Sequence, residues 1–387
     1  MTEMTENKPK SSKSEADKVL LLTRPICPPW DEASKNFAYF LAKNVRGVDF
    51  GILTCKEELN LGENVEQIPI YSSAKFNLKS KLELLKFLRK DERLFSIFHL
   101  LFTPTRLNTF LIKFFSKIRN VRTIQTIATL REDLYSDEKI RKNIFADAVI
   151  TYSDHSKQKL ESLGFQNVRR IYPGIDLEKY SPAPKNLATL ELFNLDQNDF
   201  ILTFPGEYTR LGGVDHIIEA FRKIEGRIKE AKLVLALRVK NKADFLKKKQ
   251  IMKEIAGTEL DGKIVFTDTF SDMPKIYNLS DVVLFPVSDL NGKFDVPLVV
   301  PESQACEKPV IVSDLPIFQE FTNESNSIVV KKNSPEEIYE AVLELYNDKN
   351  RRESMGRSGR QFVEANMDIK KVAKDYKEVY QELLTSN

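Results

Sequence analysis

A glycine-rich segment that follows a short apolar run carries the first candidate chemistry. Residues 204–213 read Phe-Pro-Gly-Glu-Tyr-Thr-Arg-Leu-Gly-Gly, between the predicted strand Ile201–Phe204 and a helical apolar pattern that begins at Val214. Backbone N–H groups in such a turn, and at the N-terminus of a helix, can hold a phosphate group. Arg210 could neutralise a diphosphate there. An ordinary turn with a solvated arginine is an equally good interpretation.

A second segment places one carboxylate near the start of a predicted helix. Residues 295–314 read Asp-Val-Pro-Leu-Val-Val-Pro-Glu-Ser-Gln-Ala-Cys-Glu-Lys-Pro-Val-Ile-Val-Ser-Asp, a short loop, a helix and a buried strand over Pro309–Val312. Glu302 could accept hydrogen bonds from both hydroxyls of a ribose while the preceding N–H groups face a phosphate. The alternative is a glutamate that only complements the positive end of the helix.

The elements that would position both segments alternate between short apolar runs and longer amphipathic stretches. Seven strand candidates lie between Val19–Thr23 and Val168–Tyr172, and six lie between Ile201–Phe204 and Ser327–Val330. Several are continuous apolar runs, as expected of parallel strands that are covered on both faces. The alternation predicts an α/β architecture.

Length and local composition predict the domain organisation. A chain of 387 residues exceeds one ordinary core, so we expect two domains. Two prolines within residues 180–186 indicate a linker. We predict a disordered tail over 1–17, a first domain over 18–180, a linker over 181–186 and a second domain over 187–369. The last helix, 370–387, is assigned to the first domain.

Composition narrows the cellular setting. Hydrophobic residues make up 42% and charged residues 30%, which is typical of a soluble globular protein. The three cysteines are far apart and fit a reducing compartment. No apolar run approaches the ~20 residues that span a bilayer, and no signal peptide pattern is present. We therefore expect a cytoplasmic protein without a metal site, which could still lie against the inner face of a membrane.

Several ordered segments make the chain from about Val19 onward resemble a family-4 glycosyltransferase of the GT-B fold. Residues 172–176 (Tyr-Pro-Gly-Ile-Asp) resemble the family's N-G-I-D turn, and 149–153 (Val-Ile-Thr-Tyr-Ser) resemble the strand before it. Residues 280–286 (Ser-Asp-Val-Val-Leu-Phe-Pro) resemble A-D-V-x-V-x-P. Residues 301–306 and 308–314 resemble E-A-M-A-C-G-x-P-V-I-A-S-D, and 347–384 resemble the family's closing helices.

The resemblance implies two Rossmann-like, doubly wound domains that face each other across a cleft, with the C-terminal helix crossing back to the first. The second domain would bind a nucleotide-diphosphate sugar and the first a glycan or lipid acceptor. The implied reaction is hexosyl transfer with retention of configuration, without metal or cofactor and without a nucleic-acid partner. The alternative is a non-catalytic GT-B-fold protein that binds a nucleotide sugar or a glycan.

The resemblance also implies roles in donor binding for residues of the loop before the predicted helix and of its first turn. Glu302 matches the second glutamate of the family's E-x7-E motif, which holds the donor ribose. Phe294 takes the place of the first glutamate, with Asp295 beside it. Pro297 replaces a glycine and removes one backbone donor. The predicted donor contact of this loop consists of Asp295, Pro297, Leu298 and Val299.

The glycine-rich loop departs from the family in its charges. The family's basic pair is replaced by Glu207, which follows Gly206, and by Gly212. Arg210 would therefore carry the catalytic role on the diphosphate, together with Glu302. Arg238 and Lys240 follow the predicted strand Lys232–Leu237 and could return positive charge, although a solvated basic helix start is the favoured interpretation.

The predicted acceptor side lies at the end of the first strand. Trp30, Asp31, Ser34 and Lys35 occupy the family's first glycine-rich loop, at the edge where open α/β sheets bind ligands. Asp31 could equally be the N-cap of a helix that has Ser34 and Lys35 in its first turn. Thr129 belongs to this side too, beside an alanine where many members carry a histidine.

Residues 75–122 are strongly basic, with twelve basic and three acidic side chains and a net charge of +9. One helical face within them is apolar and consists of Leu107, Phe110, Leu111, Phe114, Phe115 and Ile118. We favour a helix that turns this face to the core and its basic back to water. The alternative is a helix at an anionic membrane surface, which would suit a lipid or lipid-linked acceptor.

Overall fold

The first domain is built on a seven-stranded parallel sheet. A computed structural model describes residues 18–28, 30, 32–90, 95–101, 104–270, 272–290 and 294–385. The strands are β1 (Lys18–Ile26), β2 (Asp49–Thr54), β3 (Val65–Ile68), β4 (Ile97–Leu100), β5 (Arg122–Ile127), β6 (Ala148–Thr151) and β7 (Val168–Arg170). Their order is β3-β2-β1-β4-β5-β6-β7. The helices are α1 (Ala33–Asn44), α2 (Leu78–Lys90), α3 (Arg106–Arg119), α4 (Asp137–Asn143) and α5 (Asp154–Ser162).

The second domain repeats this plan with a six-stranded parallel sheet. Its strands are β8 (Phe200–Glu207), β9 (Ala231–Arg238), β10 (Ile264–Phe266), β11 (Val282–Phe285), β12 (Val310–Ser313) and β13 (Ser327–Val330), in the order β10-β9-β8-β11-β12-β13. The helices are α6 (Leu187–Leu192), α7 (Val214–Arg227), α8 (Lys242–Ile255), α9 (Met273–Leu279), α10 (Val299–Ala305), α11 (Pro335–Asn347) and α12 (Lys349–Asn366). The last helix of the chain, α13 (Ile369–Thr385), follows α12. A 3₁₀ helix spans Pro316–Glu320. The predicted pair of Rossmann-like domains is confirmed.

Strand order fixes where each sheet can bind a ligand. In both sheets the first strand in sequence is central, and the chain winds outward from it in both directions. The connections diverge between β1 and β4 and again between β8 and β11. Loops that leave neighbouring strands in opposite directions open a crevice at the carboxyl ends of those strands. The second sheet therefore provides a crevice where β8 and β11 end.

The C-terminal helix crosses back to the first domain, as the resemblance implies. Tyr376 and Tyr380 of α13 are fully buried and pack on aromatic side chains of α1 and β2. The Tyr380 hydroxyl lies 2.8 Å from Nδ1 of His99, whose Nε2 lies 2.7 Å from the Thr126 hydroxyl. Burial lowers the pKa of His99 to about 3, so this histidine is a neutral core residue.

Strand β3 ends earlier than its sequence pattern predicts. The apolar run Ile68–Tyr71 reads as a strand, yet the paired segment is Val65–Ile68. The reason is Pro69, which has no backbone N–H to continue the ladder. Tyr71 is buried all the same, and its N–H bonds the carbonyl of Thr54.

Helix α3 presents its apolar face to solvent, so the favoured prediction of a core-facing helix is wrong. Its buried positions are Thr109, Ile112 and Ser116, and the Thr109 hydroxyl donates to the carbonyl of Asn143. The exposed fractions on the opposite face are 59% for Leu107, 66% for Phe110, 52% for Phe114 and 64% for Ile118. Leu111 and Phe115 of the predicted face are half-buried, and the helix packs through Thr109, Ile112 and Ser116, with Phe115 and Ile112 in contact with the first-domain core.

No helix among the described residues combines the length and the apolar character needed to cross a membrane.

Candidate functional site

Two loops of the second domain meet at the crevice between β8 and β11. The N–H of Ser288, after β11, donates to the carbonyl of Leu211 at 2.9 Å. A side chain at Gly212 would place its Cβ 2.4 Å from the Ser288 hydroxyl oxygen. Gly213 forms the N-cap of α7 with a φ of 91°, a conformation that favours glycine. These two glycines allow the loops to touch and direct the N-terminus of α7 into the crevice.

A buried carboxylate at the end of β8 gathers the basic residues of the site. Glu207, which follows Gly206, is 2% exposed. Its oxygens lie 3.2 Å from Arg210 Nε, 3.4 Å from Arg238 Nη2 and 3.1 Å from Lys240 Nζ. The structure therefore brings together three cations that the sequence predicted separately. With Glu207 ionised the group carries a net charge of +2, which suits an anion such as a diphosphate.

One organiser of this group was missed by sequence analysis. Asp244, in the first turn of α8, is 1% exposed and accepts from the Thr209 hydroxyl at 2.7 Å and from the Lys240 N–H at 3.1 Å. Its own N–H is capped by the Asn241 side chain at 3.0 Å. The carboxylate ties the loop after β8 to the loop after β9. The sequence pattern that could have identified Asp244 is an asparagine at the helix N-cap, Asn241, followed three residues later by an aspartate.

Glu302 lies in the first turn of α10, as predicted, but a tyrosine already bonds its side chain. The Tyr277 hydroxyl donates to Glu302 Oε2 at 2.9 Å, and Tyr180 also lies near the carboxylate. Burial raises the pKa of Glu302, against the opposing effects of the two tyrosines and of the positive charges of Lys179 and Arg238.

The loop before α10 brings Pro297, Leu298 and Val299 to the helix start. Leu298 forms the N-cap with helical backbone angles and no side-chain cap, and its carbonyl accepts from the Glu302 N–H at 2.9 Å. Asp295, predicted to contact the donor, instead turns to the first domain. It accepts from the Ser153 and Ser156 hydroxyls at 2.9 and 2.5 Å.

The predicted acceptor residues are spread over two places. Trp30 is 41% exposed, with its ring 4.9 Å from that of Tyr39. Ser34 and Lys35 lie in the first turn of α1, and Lys35 is buried near Cys55. Asp31 lies outside the described residues, and the N-cap of α1 is the next residue, Glu32.

Thr129 lies elsewhere, at the carboxyl end of β5. It lines a pocket whose walls are mostly apolar, with Ile127, Leu130, Tyr135 and Ile140. Pro104, just before α3, closes the same pocket. Leu130, another lining residue, donates its N–H to the Asp295 carboxylate at 3.3 Å. The pocket therefore lies between the start of α3 and the contact with Asp295.

Sequence comparisons point to one family of transferases. Residues 191–362 match the family model described as "Glycosyl transferases group 1". An uncharacterized glycosyltransferase of Methanocaldococcus jannaschii is 27% identical over 257 residues, which are 65% of this chain and 62% of that protein. A GDP-mannose-dependent monoacylated alpha-(1-6)-phosphatidylinositol monomannoside mannosyltransferase of Corynebacterium glutamicum is 23% identical over 240 residues, 59% of this chain and 61% of that protein. The chain thus spans about three fifths of the length of these relatives.

The fold also matches a solved structure over nearly its whole length. HepE from Anabaena, in complex with UDP and glucose, superposes with a TM-score of 0.72 at 14% identity and covers 95% of this chain and 99% of its own. At that identity the likeness concerns the fold. The chain therefore has the GT-B fold, and its residues 191–362 are similar to the glycosyl transferases group 1 family.

Proposed function

We propose that this protein is a retaining glycosyltransferase that moves a sugar from a nucleotide-diphosphate donor to an acceptor hydroxyl. The observation that carries the proposal is the group of Arg210, Arg238 and Lys240 around buried Glu207 at the crevice of the second sheet. A diphosphate placed there would also face the N-terminus of α7, whose free N–H groups favour an anion.

The chemistry follows from the charge that develops on the departing diphosphate. The bond between the anomeric carbon and the phosphate oxygen breaks, and the acceptor oxygen bonds the same carbon. In a front-face reaction the released phosphate oxygen takes the acceptor proton. Arg210 and its neighbours would stabilise the developing negative charge, and the two domains would position the substrates. Such a route uses neither a metal nor a side-chain base, in line with the resemblance to family 4.

Glu207 has a defined part in this scheme. A buried carboxylate shared by three cations holds their charged groups at one place before the donor arrives. Preorganised charge costs little reorganisation during the reaction, which is why it contributes most in the transition state. Glu302, on the other wall, would hold the donor ribose.

The experiment is a thermal-shift panel of UDP, GDP, ADP and dTDP, followed by assay of sugar release from the matching nucleotide sugars. A nucleotide that binds only the folded protein raises its melting temperature. Binding with transfer or slow donor hydrolysis supports the proposal. Binding without turnover supports the alternative of a non-catalytic sugar-nucleotide-binding protein, which Phe294 in the place of an expected glutamate favours. Absence of any binding refutes both.

For the acceptor we propose a lipid or lipid-linked glycan, reached by docking on an anionic membrane. The support is the exposed apolar face of α3, defined as Leu107, Phe110, Phe114 and Ile118. Basic residues flank it, among them Arg106, Lys113 and Lys117. Each lysine or arginine near an anionic surface contributes about 1 kcal/mol. The relative from Corynebacterium glutamicum, by its name, acts on a monoacylated phosphatidylinositol mannoside.

The pocket that holds Thr129 gives this acceptor a place in the domain. It adjoins the start of α3 through Pro104, and its walls are mostly apolar. A protein docked through α3 would thus present the pocket near the membrane. We place the protein in the cytoplasm, peripheral to the inner face of the membrane.

A further inference from the structure

Two carboxylates of the second domain end at the same helix of the first domain. Asp295, in the loop after β11, accepts from the hydroxyls of Ser156 at 2.5 Å and Ser153 at 2.9 Å. Glu320, at the end of the 3₁₀ helix, accepts from the N–H groups of Asp154 at 2.7 Å and His155 at 2.8 Å. All four donors belong to the N-cap and first turn of α5.

This contact satisfies groups that a helix leaves unpaired. The first N–H groups of a helix have no partner within it and carry partial positive charge. Here Ser153 accepts from the Ser156 N–H at 3.1 Å, while the two N–H groups before it bond only the second domain's Glu320 in the contacts shown. Separation of the domains would return these donors to water.

Further contacts surround the two carboxylates. The Asp295 N–H donates to the carbonyl of Ala128 at 2.9 Å, and the Phe294 ring packs edge-on against Tyr152 at 5.4 Å. The Tyr172 hydroxyl donates to the Glu320 carbonyl at 2.9 Å. The second domain is therefore bonded to the ends of several first-domain strands as well as to α5.

A short stretch of chain joins this interdomain contact to the predicted donor site. Asp295 lies three residues before Leu298, the N-cap of α10, and in the same loop that leads to Glu302. A change in domain closure therefore acts directly on the loop predicted to hold the donor.

We propose that Asp295 and Glu320 are positioning residues that hold the two domains closed by clamping the N-terminus of α5, and that this closure sets the donor loop in place. The link to the donor rests on the proposed function. The clamp itself is a property of the unliganded protein, and it is tested without any substrate.

The test substitutes one of the two carboxylates and measures hydrogen exchange at the contact made by the other. Peptide-level hydrogen exchange is measured on the full chain for wild type, Asp295→Ala and Glu320→Ala. Asp295→Ala leaves Glu320 in place, so faster exchange in that variant at the N–H groups of Asp154 and His155, which bond Glu320, reports domain opening and not the loss of a local bond. The reciprocal readout is exchange at residues 294–299 in Glu320→Ala. We expect an increase of about 10-fold in each case, with a larger radius of gyration in solution scattering.

Two further variants separate clamping from general stability. Glu324→Ala removes an exposed glutamate four residues beyond Glu320 and should leave exchange and scattering at wild-type values. Asp295→Asn keeps an acceptor oxygen for the serines and should restore most of the protection. The clamp would be refuted if both folded variants exchanged within about twofold of wild type, Asp295→Ala at the N-terminus of α5 and Glu320→Ala at residues 294–299.

Nucleotide binding then tests the coupling to the donor. A protein that is mostly open must close on binding, so its apparent affinity falls by the fraction that is closed. With UDP, GDP and ADP as probes, the nucleotide that binds wild type should bind Asp295→Ala about 10-fold more weakly, and at saturation it should restore protection at 154–156. Altered exchange without nucleotide binding to any form would keep the clamp and refute the transferase proposal. Unchanged affinity in an opened variant would refute the coupling.

Discussion

Glu207 and Arg238 are register partners at the ends of adjacent parallel strands, and the carboxylate lies 3.4 Å from the guanidinium. Parallel pairing of β8 with β9 places these side chains at the same edge of the sheet, 31 residues apart in sequence. A site that looks depleted of basic residues in its glycine-rich loop is supplied with them from the neighbouring strand.

Arg210→Ala should lower the turnover rate more than donor affinity. Positive charge matters most when the diphosphate departs, so its removal acts mainly on the transition state. We expect a loss on the order of 10²-fold in the rate at saturating donor. Steady-state kinetics of Arg210→Ala and Arg238→Ala side by side check this. Abolished transfer in Arg238→Ala with normal transfer in Arg210→Ala would reverse the two roles.

Glu207→Gln should destabilise the unliganded protein while leaving it responsive to nucleotide. Loss of the shared negative charge leaves three cations close together without their carboxylate partner. We expect the free energy of unfolding to fall by about 1–3 kcal/mol, with a larger thermal shift on addition of a binding nucleoside diphosphate, because the diphosphate replaces the lost charge. Equal thermal shifts in wild type and variant would show that the diphosphate does not meet these cations.

Glu302→Ala should weaken nucleotide binding by about 10- to 100-fold, since a buried charge-assisted hydrogen bond contributes about 1.5–3 kcal/mol. Titration calorimetry with the nucleotide found in the panel measures this change. Glu340→Ala, which removes an exposed glutamate of α11 in the same domain, is the matched control. Wild-type affinity in folded Glu302→Ala would remove this residue from the donor site.

Mild acidification should stabilise the wild-type protein relative to Asp295→Asn. Burial raises the pKa of Asp295 to about 6 from 3.8, although hydrogen bonds from Ser156 and Ser153 and the nearby His155 act in the opposite direction. A raised pKa means that the folded protein holds this proton more tightly than the unfolded chain. The stabilisation is thus full below the unfolded value and is lost as the pH rises through about 6.

Denaturant unfolding of both proteins across this pH range gives the comparison. The free energy of unfolding of wild type minus that of Asp295→Asn should fall by about 2 kcal/mol between about pH 4.5 and pH 7. Other groups titrate alike in both proteins and cancel. A constant difference would show that the Asp295 carboxylate is not desolvated.

Phe110→Ser should release the protein from vesicles that contain anionic lipid. The substitution removes the most exposed side chain of the α3 face, at 66% exposure. Leu246→Ser is the control, because it removes an exposed apolar residue of α8 in the other domain. If the face inserts, co-sedimentation of wild type should resist high salt, whereas docking by charge alone should be reversed by it. Failure of wild type to co-sediment at low salt would refute docking.

The sequence determined the parts of the structure that depend on neighbouring residues. Runs of apolar residues between amphipathic stretches indicated seven and six strands, and the sheets contain those numbers. The turn at residues 204–213 and the helix after it were also readable, because glycine and helical periodicity act within a few residues. Ordered motifs along the chain indicated the family for the same reason: each is a short local pattern.

Tertiary structure decided which surfaces and charges meet. The apolar face of α3 gave no sign in sequence of being exposed, since burial depends on whether another element covers it. The direction of Asp295 depended on the first domain, whose serines lie more than 130 residues away. Glu207 became the centre of a cationic group only through the register of two strands. Such contacts join residues distant in the chain, and packing of the whole molecule brings them together.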